Sequence, residues 1–300
     1  MTLRPERERV TVDEQTNETP DWPFELADPV ARLGPPSQVF RIPRSHAARK
    51  TISGLVLIIG GILANYVYWI VLNGQVIVEH LLFLVLFGPI VTGFGLIYAA
   101  FRDRGLWVLI YPMGILRWQR GEVVTFPWQE IREITFHRVV ETAKAKRAVG
   151  PDGELITVWL PITKEGSRSL GSHLILRRMD AADAILPSSI SNYAKLCQAV
   201  QEETFRVMWP EAWNRFLEGK RVHFGPLAAS FSGLHRDSEF LDWAELEDVQ
   251  ISTGRLKIRS RLLKRPWIEV PLENVDNPHV LIALMIRAPI EVRRALDAEQ

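Results

Sequence analysis

Two uncharged, strongly apolar stretches constrain this chain more than any other feature of its sequence. TISGLVLIIGGILANYVYWIVL covers residues 51–72, and LLFLVLFGPIVTGFGLIYAAF covers residues 81–101. At about 1.5 Å of rise per residue, each is long enough as a helix to cross a hydrocarbon layer about 30 Å thick. The short connection between them predicts a transmembrane hairpin within residues 46–104, because backbone in lipid must satisfy its hydrogen bonds inside each helix.

The flanking charges predict how this hairpin is oriented. Basic residues lie before the first stretch and after the second, whereas the connection contains no Lys or Arg; they are Arg41, Arg44, Arg49, Lys50, Arg102 and Arg104. Because cytoplasmic flanks carry the excess of Lys and Arg, both termini are expected to be cytoplasmic. The localisation expected for the chain is therefore the cytoplasmic (inner) membrane, as a multi-pass protein.

Small residues four apart occur in both stretches. Gly60 with Ala64 and Gly95 with Ala99 would let two helices approach closely. We favour the interpretation that they pack the hairpin on itself, and the alternative is a face for dimerisation. Outside the hairpin, residues 1–45 are rich in Glu, Asp and Pro, which predicts a disordered cytoplasmic tail.

A second strong feature is an internal repeat in the polar part of the chain. FPWQEIREI, residues 126–134, matches LDWAELEDV, residues 241–249, position by position. Alternating, strand-like segments precede and follow both stretches, and a helix-like run closes each copy. The paired residues are expected to form equivalent parts of two cores: Trp128, Ile131 and Ile134 in the first copy, and Trp243, Leu246 and Val249 in the second.

The repeat divides the rest of the chain. We predict a first unit over residues 105–208, a linker helix over 209–219, a second unit over 220–288 and a tail over 289–300. Alternatively, the two copies are halves of one composite sheet.

A strand meander with a Gly turn, then Trp-x-x-[Ile/Leu]-x-x-[Ile/Val], then a closing helix, resembles the pleckstrin-homology-like (PH-like) modules of bacterial membrane proteins. The run PLENVDNPHVL, residues 271–281, resembles an uncharacterised family of such proteins with a transmembrane hairpin and tandem PH-like repeats. The resemblance implies a membrane-anchored α+β protein with two strongly bent sheet or barrel units, each closed by a C-terminal helix. It also implies binding of lipid, peptide or protein rather than catalysis.

Charge and motifs exclude several other classes of function. The net charge is +1 with no basic block, which disfavours nucleic acid as a partner. The single cysteine, Cys197, lies in a helical pattern and allows neither an internal disulfide nor a cysteine-based metal site. No Walker loop, His-Glu-x-x-His or Gly-x-Ser-x-Gly motif occurs. We therefore predict no catalytic residues, no metal site and no cofactor.

One strand carries the candidate binding residues. In GRLKIRS, residues 254–260, the basic residues Arg255, Lys257 and Arg259 alternate with Leu256 and Ile258. In a strand this pattern places the three cations on one face, where they could bind anionic lipid or a partner. The alternative is a solvated face whose charge is balanced by nearby acids, namely Glu245, Glu247 and Asp248.

Together these features predict a non-catalytic, membrane-anchored cytoplasmic scaffold that contacts the lipid bilayer, a partner protein or a second copy of itself. The alternative function is a subunit of a membrane enzyme or transport complex whose site forms only on oligomerisation.

Overall fold

The computed structural model describes residues 34–71, 79–103, 105–137, 144–149, 155–160 and 172–298, and all structural statements below concern these residues. They form a mixed α+β fold. The helices are α1 (Arg44–Val71), α2 (Glu79–Asp103), α3 (Tyr193–Leu217) and α4 (Pro278–Ala298). Strands before α3 are β1 (Gln38–Arg41), β2 (Trp107–Tyr111), β3 (Gly114–Gln119), β4 (Glu122–Pro127), β5 (Ile131–His137), β6 (Lys144–Val149), β7 (Leu155–Leu160), β8 (His173–Arg178) and β9 (Asp183–Pro187). Strands after α3 are β10 (Val222–Phe224), β11 (Leu227–Ser230), β12 (Gly233–Arg236), β13 (Glu239–Asp242), β14 (Leu246–Ser252), β15 (Arg255–Ser260) and β16 (Pro266–Pro271).

The strands pair antiparallel in two sets with the same order. In the first unit, β1-β2-β3-β4 form one sheet and β5-β8-β9 form another, and the unit ends in α3. In the second unit, β10-β11-β12-β13 and β14-β15-β16 form the two sheets, and the unit ends in α4. The hairpin β6-β7 lies between β5 and β8 in the sequence, where the second unit has only the short turn between β14 and β15.

These sheets are open, so the expectation of closed barrels is wrong for the described strands. Each four-stranded sheet ends in a single 3-10 turn that begins with tryptophan, Trp128–Glu130 or Trp243–Glu245. The turn interrupts the ladder of hydrogen bonds, and the strand that follows it pairs with a different set of neighbours. Among the described strands, no sheet contains members of both units, which argues against one composite sheet.

The helices α1 and α2 form the connection between two neighbouring strands. β1 pairs with β2 from Gln38 opposite Ile110 to Arg41 opposite Trp107, and the chain between these strands contains both helices. The corresponding strands of the second unit, β10 and β11, are joined directly by Gly225 and Pro226. Residues 38–41 therefore belong to the first unit, whereas the sequence placed them in the N-terminal tail.

The two helices pack closely through glycines other than those expected. A Cβ atom on Gly54 would lie 2.6 Å from the carbonyl oxygen of Gly93, and one on Gly93 would lie 2.6 Å from that of Gly54. A Cβ atom on Gly60 or Gly95 would meet open space instead. The favoured interpretation, in which these two glycines pack α1 against α2, is therefore wrong. A side chain at Gly54 or Gly93 would force the helices apart.

By length and composition, one described helix, Ser45–Tyr68, could cross a membrane. The described apolar part of α2, Phe87–Phe101, is shorter. The second span and the multi-pass arrangement thus stay predictions.

A continuous core links the two units. It contains residues from the inner faces of both sets of sheets and from α3 and α4. Along α3, the rings of Phe205, Trp209, Trp213 and Phe216 stack with centroids 5.3, 5.3 and 5.2 Å apart. Because this apolar face continues without a break, the predicted linker 209–219 is mostly the second half of α3, and Pro210 lies inside the helix. Similarly, α4 continues past residue 288 to Ala298.

Candidate functional site

A groove in the second unit is the best candidate for a binding site. It has a volume of about 470 Å³ and lies between the turn joining β12 to β13 and the turn joining β15 to β16. Charged and aromatic side chains dominate its lining: Arg236, Glu239, Phe240, Arg265, Trp267 and Glu269.

Local structure explains why these side chains meet. Asp237 has a left-handed backbone (φ 50°), which closes the turn so that Arg236 and Glu239 pair across the two strands. Phe240, next to Glu239, is 47% exposed and its ring lies 5.0 Å from that of His235. Its neighbour Leu241 points inward instead, because side chains alternate along a strand.

The opposite wall comes from β16. Ile268 and Val270 are buried in the core, so Trp267 and Glu269 lie on the outer face of the sheet. The ladder shifts register between Ile258 and Arg259, where Pro266 begins β16. Both β13 and β16 are edge strands of their sheets, so the groove lies beside two strand edges.

The charges of the groove are nearly balanced. Arg236 and Arg265 face Glu239 and Glu269 in its lining. Glu269 also forms ion pairs on the neighbouring strand, at 2.8 Å with Arg255 Nε and 3.5 Å with Lys257 Nζ. The site is therefore amphipathic rather than strongly cationic.

The predicted basic strand adjoins this groove. In β15, Leu256 and Ile258 are buried, while Arg255 and Arg259 are exposed and Lys257 is half-buried on the opposite face. The acid that pairs with Arg255 and Lys257 is Glu269, which was absent from the three acids expected to balance them. Among those three, Asp248 accepts hydrogen bonds from the backbone of Val249 and the side chain of Gln250.

The groove itself was not foreseen from the sequence. Phe240 and Trp267 belong to different sheets and meet only through the tertiary fold. A signal was present in the runs SEFLDW and RPWIEV, where a large aromatic residue stands on the face opposite to the apolar core residues. Alternation alone could identify the two faces of each strand but could not bring the strands together.

The predicted core residues lie at equivalent places in the two units. Trp128 and Trp243 are each 3% exposed, and their indole N–H groups donate to the carbonyl oxygens of Tyr111 at 3.1 Å and Ser230 at 3.0 Å. In the first unit, Ile131 and Ile134 are fully buried.

In the second unit, Leu246 and Val249 are only half-buried. The difference arises because β5 is covered by the segment from Leu272 to Asn277 of the second unit, whose Asn277 bonds to Ile134.

The described residues contain no cluster of three or more His, Cys, Asp or Glu side chains that could hold a metal ion. Cys197 is buried beside Tyr193, and burial raises its pKa to about 12, so its thiol stays protonated and unreactive. His279 is also buried, and burial lowers its pKa to about 3. Its Nε2 lies 3.3 Å from the hydroxyl of Thr204, which links α4 to α3.

Comparison with known proteins gives one match. Residues 153–294 match the model of a family of unknown function, DUF6585, so the matched region contains the groove, the basic strand and the second unit up to residue 294, within α4. No curated protein and no solved structure matches the chain. Just under half of the chain is thus similar to a family whose function is not known.

Proposed function

We propose that this protein is a membrane-anchored, non-catalytic binding module. In this proposal, α1 and α2 hold two related PH-like units at the cytoplasmic face of the membrane, and the groove of the second unit takes a segment of a partner protein. The observation that carries the membrane part is the outer surface of the helix pair. Large apolar side chains project from it into open space, with Val56, Val91 and Tyr98 exposed by 64%, 70% and 69%.

Such a surface is far more apolar than water-facing helices present, and a bilayer would cover it. The way in which the helices join the sheet supports this role. Because β1 and β2 are adjacent and hydrogen-bonded, both ends of the helix pair are fixed to one sheet. A rigid attachment of this kind would hold the first unit against the membrane surface.

We infer that the two units arose by duplication. Besides the tryptophans, both units have a shift in strand register at the same place, between Ile131 and Glu133 and between Leu246 and Asp248. Each closing helix also follows an asparagine with a left-handed backbone, Asn192 (φ 52°) or Asn277 (φ 47°). In each unit a four-stranded and a three-stranded sheet are followed by a closing helix, which agrees with the sheet and closing helix that the PH-like resemblance implies and supports that proposal.

The charge of the groove favours a protein segment over an anionic headgroup. Two arginines and two glutamates leave little net attraction for an anion. The exposed ring of Phe240, the half-buried ring of Trp267 and two strand edges suit an extended peptide. The partner segment would carry apolar side chains together with charges of both signs. Backbone pairing with a strand edge would supply affinity, and the groove would supply specificity.

Membrane anchoring is tested by fractionation and labelling. The full chain should remain in the membrane pellet after alkaline carbonate washing. Because Cys197 is buried, single cysteines can be introduced at Gln75 and at the exposed Ser238 without replacing it. In intact cells an impermeant maleimide should label position 75 but not position 238. Extraction by carbonate would reject the anchor, and the opposite labelling would reject the orientation.

The groove is tested in native membranes with a photoreactive amino acid at Phe240. The matched control carries it at Ile185, which is exposed on the edge strand β9 of the first unit. A discrete protein adduct at 240 that is absent at 185, and is lost with Trp267→Ala, would support the proposal. Adducts with lipid alone would show that the groove faces headgroups, and equal adducts at both positions would reject a specific site.

A further inference from the structure

The end of the first sheet that lies next to the helix pair carries an unusual row of side chains. Paired residues across β1, β2, β3 and β4 form this row, which consists of Arg41, Trp107, Trp118 and Val123. We call it the Trp–Arg row. Arg41 is exposed, and its guanidinium carbon lies 5.6 Å from the centre of the Trp107 ring. The two tryptophans are half-buried, so part of each indole faces outward.

A short connection along the chain and two contacts place the row close to the end of α2. Only three residues separate Asp103, the last residue of α2, from Trp107. A Cβ atom on Gly105 would lie 3.7 Å from the Trp118 ring, so this ring packs against the chain that leaves α2. Arg120, in the turn between β3 and β4, donates a hydrogen bond to the carbonyl oxygen of Phe101 at 2.9 Å. The turn therefore touches the last turn of α2 directly.

The second unit provides an internal comparison. The strands corresponding to β1, β2 and β3 place Gly225, Pro226 and Asp237 at the positions of Arg41, Trp107 and Trp118. In the second unit, a tight turn stands where the first unit has the helix pair. The three residues at the positions of the Trp–Arg row include neither an aromatic ring nor a cation. The two tryptophans and the arginine thus occur in the unit that carries the apolar helices.

Tryptophan and arginine are the residue types that suit the boundary between lipid and water. An indole ring is amphipathic and partitions to the headgroup region, and a guanidinium attracts phosphate. From Asp103 to Trp107 the chain can extend at most about 13 Å, which keeps the row within reach of the headgroups if α2 ends at the hydrocarbon boundary.

We propose that the Trp–Arg row and Arg120 form a contact surface for anionic phospholipid headgroups. This proposal rests on the membrane anchoring proposed above. It assigns the lipid contact to the first unit and not to the basic strand β15, where Glu269 already pairs with Arg255 and Lys257. The surface would fix the first sheet on the bilayer and so set the height at which the second unit presents its groove.

The test measures depth in the bilayer with matched fluorescent labels. The full chain is reconstituted in nanodiscs of phosphatidylcholine, with and without phosphatidylglycerol. A single cysteine carries an environment-sensitive dye either at Gly121, in the turn between β3 and β4, or at Ser238, in the turn between β12 and β13. Lipids with a nitroxide near the headgroup serve as quenchers, and Cys197 remains unlabelled because it is buried.

We expect the nitroxide lipids to quench the dye at position 121 and not the dye at position 238. Quenching at 121 should be about twofold stronger in nanodiscs that contain phosphatidylglycerol. Arg41→Glu with Arg120→Glu should remove the dependence on anionic lipid, whereas the matched reversal Arg255→Glu with Arg259→Glu should leave it unchanged. Equal quenching at both positions, or no quenching at 121 in protein that has entered the nanodiscs, would overturn the lipid surface alone. Failure of the chain to enter nanodiscs would overturn the membrane anchor as well.

Discussion

Asn277 holds the second unit to the edge of β5 through Ile134. Its side-chain oxygen accepts a hydrogen bond from the backbone N–H of Ile134 at 2.8 Å, and its own backbone N–H donates to the carbonyl oxygen of Ile134 at 2.9 Å. The side-chain amide also donates to the carbonyl oxygen of Arg132 at 3.0 Å. One residue thereby pairs with an edge strand much as a short strand would, and it joins the two units where their cores meet.

Replacing Asn277 by glycine should destabilise the protein. Glycine tolerates the left-handed backbone but removes both side-chain hydrogen bonds, and the expected cost is about 1–3 kcal/mol. Asn192 is the matched control, because it has the same backbone conformation and makes no capping hydrogen bond with its side chain. Thermal unfolding of the detergent-solubilised chain should therefore show a clearly lower melting temperature for Asn277→Gly and little change in melting temperature for Asn192→Gly. An equal fall in melting temperature for both variants would mean that the contact between the two units does not depend on the Asn277 side chain.

The two equivalent tryptophans should matter for stability in both units. Trp128→Ala and Trp243→Ala are each expected to cost about 3–5 kcal/mol, because each leaves a large cavity in the core. Replacing either tryptophan by phenylalanine should lower the free energy of unfolding less, by about 1–3 kcal/mol. Phenylalanine fills most of the space but leaves a buried carbonyl group without its hydrogen-bond donor. Differential scanning fluorimetry provides the comparison, with the half-buried Trp267→Phe as control. Unchanged melting temperatures for both alanine variants would contradict the packing described here.

The sheet of the first unit should fold without the helix pair. Ile42 N–H bonds to the carbonyl oxygen of Leu106, so the β1–β2 ladder continues to that position. Replacing residues 43–105 by Asn-Gly should give a two-residue hairpin like the direct connection between β10 and β11. We expect a protein that is soluble without detergent, monodisperse in gel filtration and cooperative in thermal unfolding. Aggregation of this variant, or its recovery with membranes, would show that the helices contribute more than an anchor.

Stability should fall in acid because of His279. Burial lowers its pKa in the folded state from 6.5 to about 3, so the folded protein binds this proton less readily than the unfolded chain. The stability that neutral His279 contributes is complete above pH 6.5 and is lost progressively as the pH falls toward 3. Between pH 7.5 and 5 this single group should account for a loss of about 2 kcal/mol.

His279→Gln should remove the loss of unfolding free energy between pH 7.5 and pH 5 that His279 causes. The matched control is His223→Gln, at an exposed position on β10, which should retain it. Urea unfolding at pH 7.5 and pH 5 provides the measurement. If the difference between the two pH values is the same in both variants, His279 is not the responsible group.

Sequence patterns identified the features that depend on neighbouring residues. The apolar stretch that became α1 and the alternation in β15 were both visible, because hydrophobic periodicity reports which face of an element is buried. The correspondence between Trp128 and Trp243 was also visible, since three apolar residues recur at the same spacing in each copy after a strand meander. Strand β1 was missed because its partner β2 follows only after two helices, and its four residues carry too little pattern alone.

By itself, the sequence determined the apolar character of residues 51–72 and 81–101, the strand-rich nature of the rest and the matching spacing of two Trp-containing segments. Only the tertiary structure decided that the helices interrupt a sheet and that Asn277 joins the units. It also decided that Phe240 and Trp267 form a groove and that Glu269 pairs with two of the three cations of the basic strand. The physical reason is distance along the chain: periodicity is a local signal, whereas each of these contacts joins residues that only the closing of strands and helices brings together.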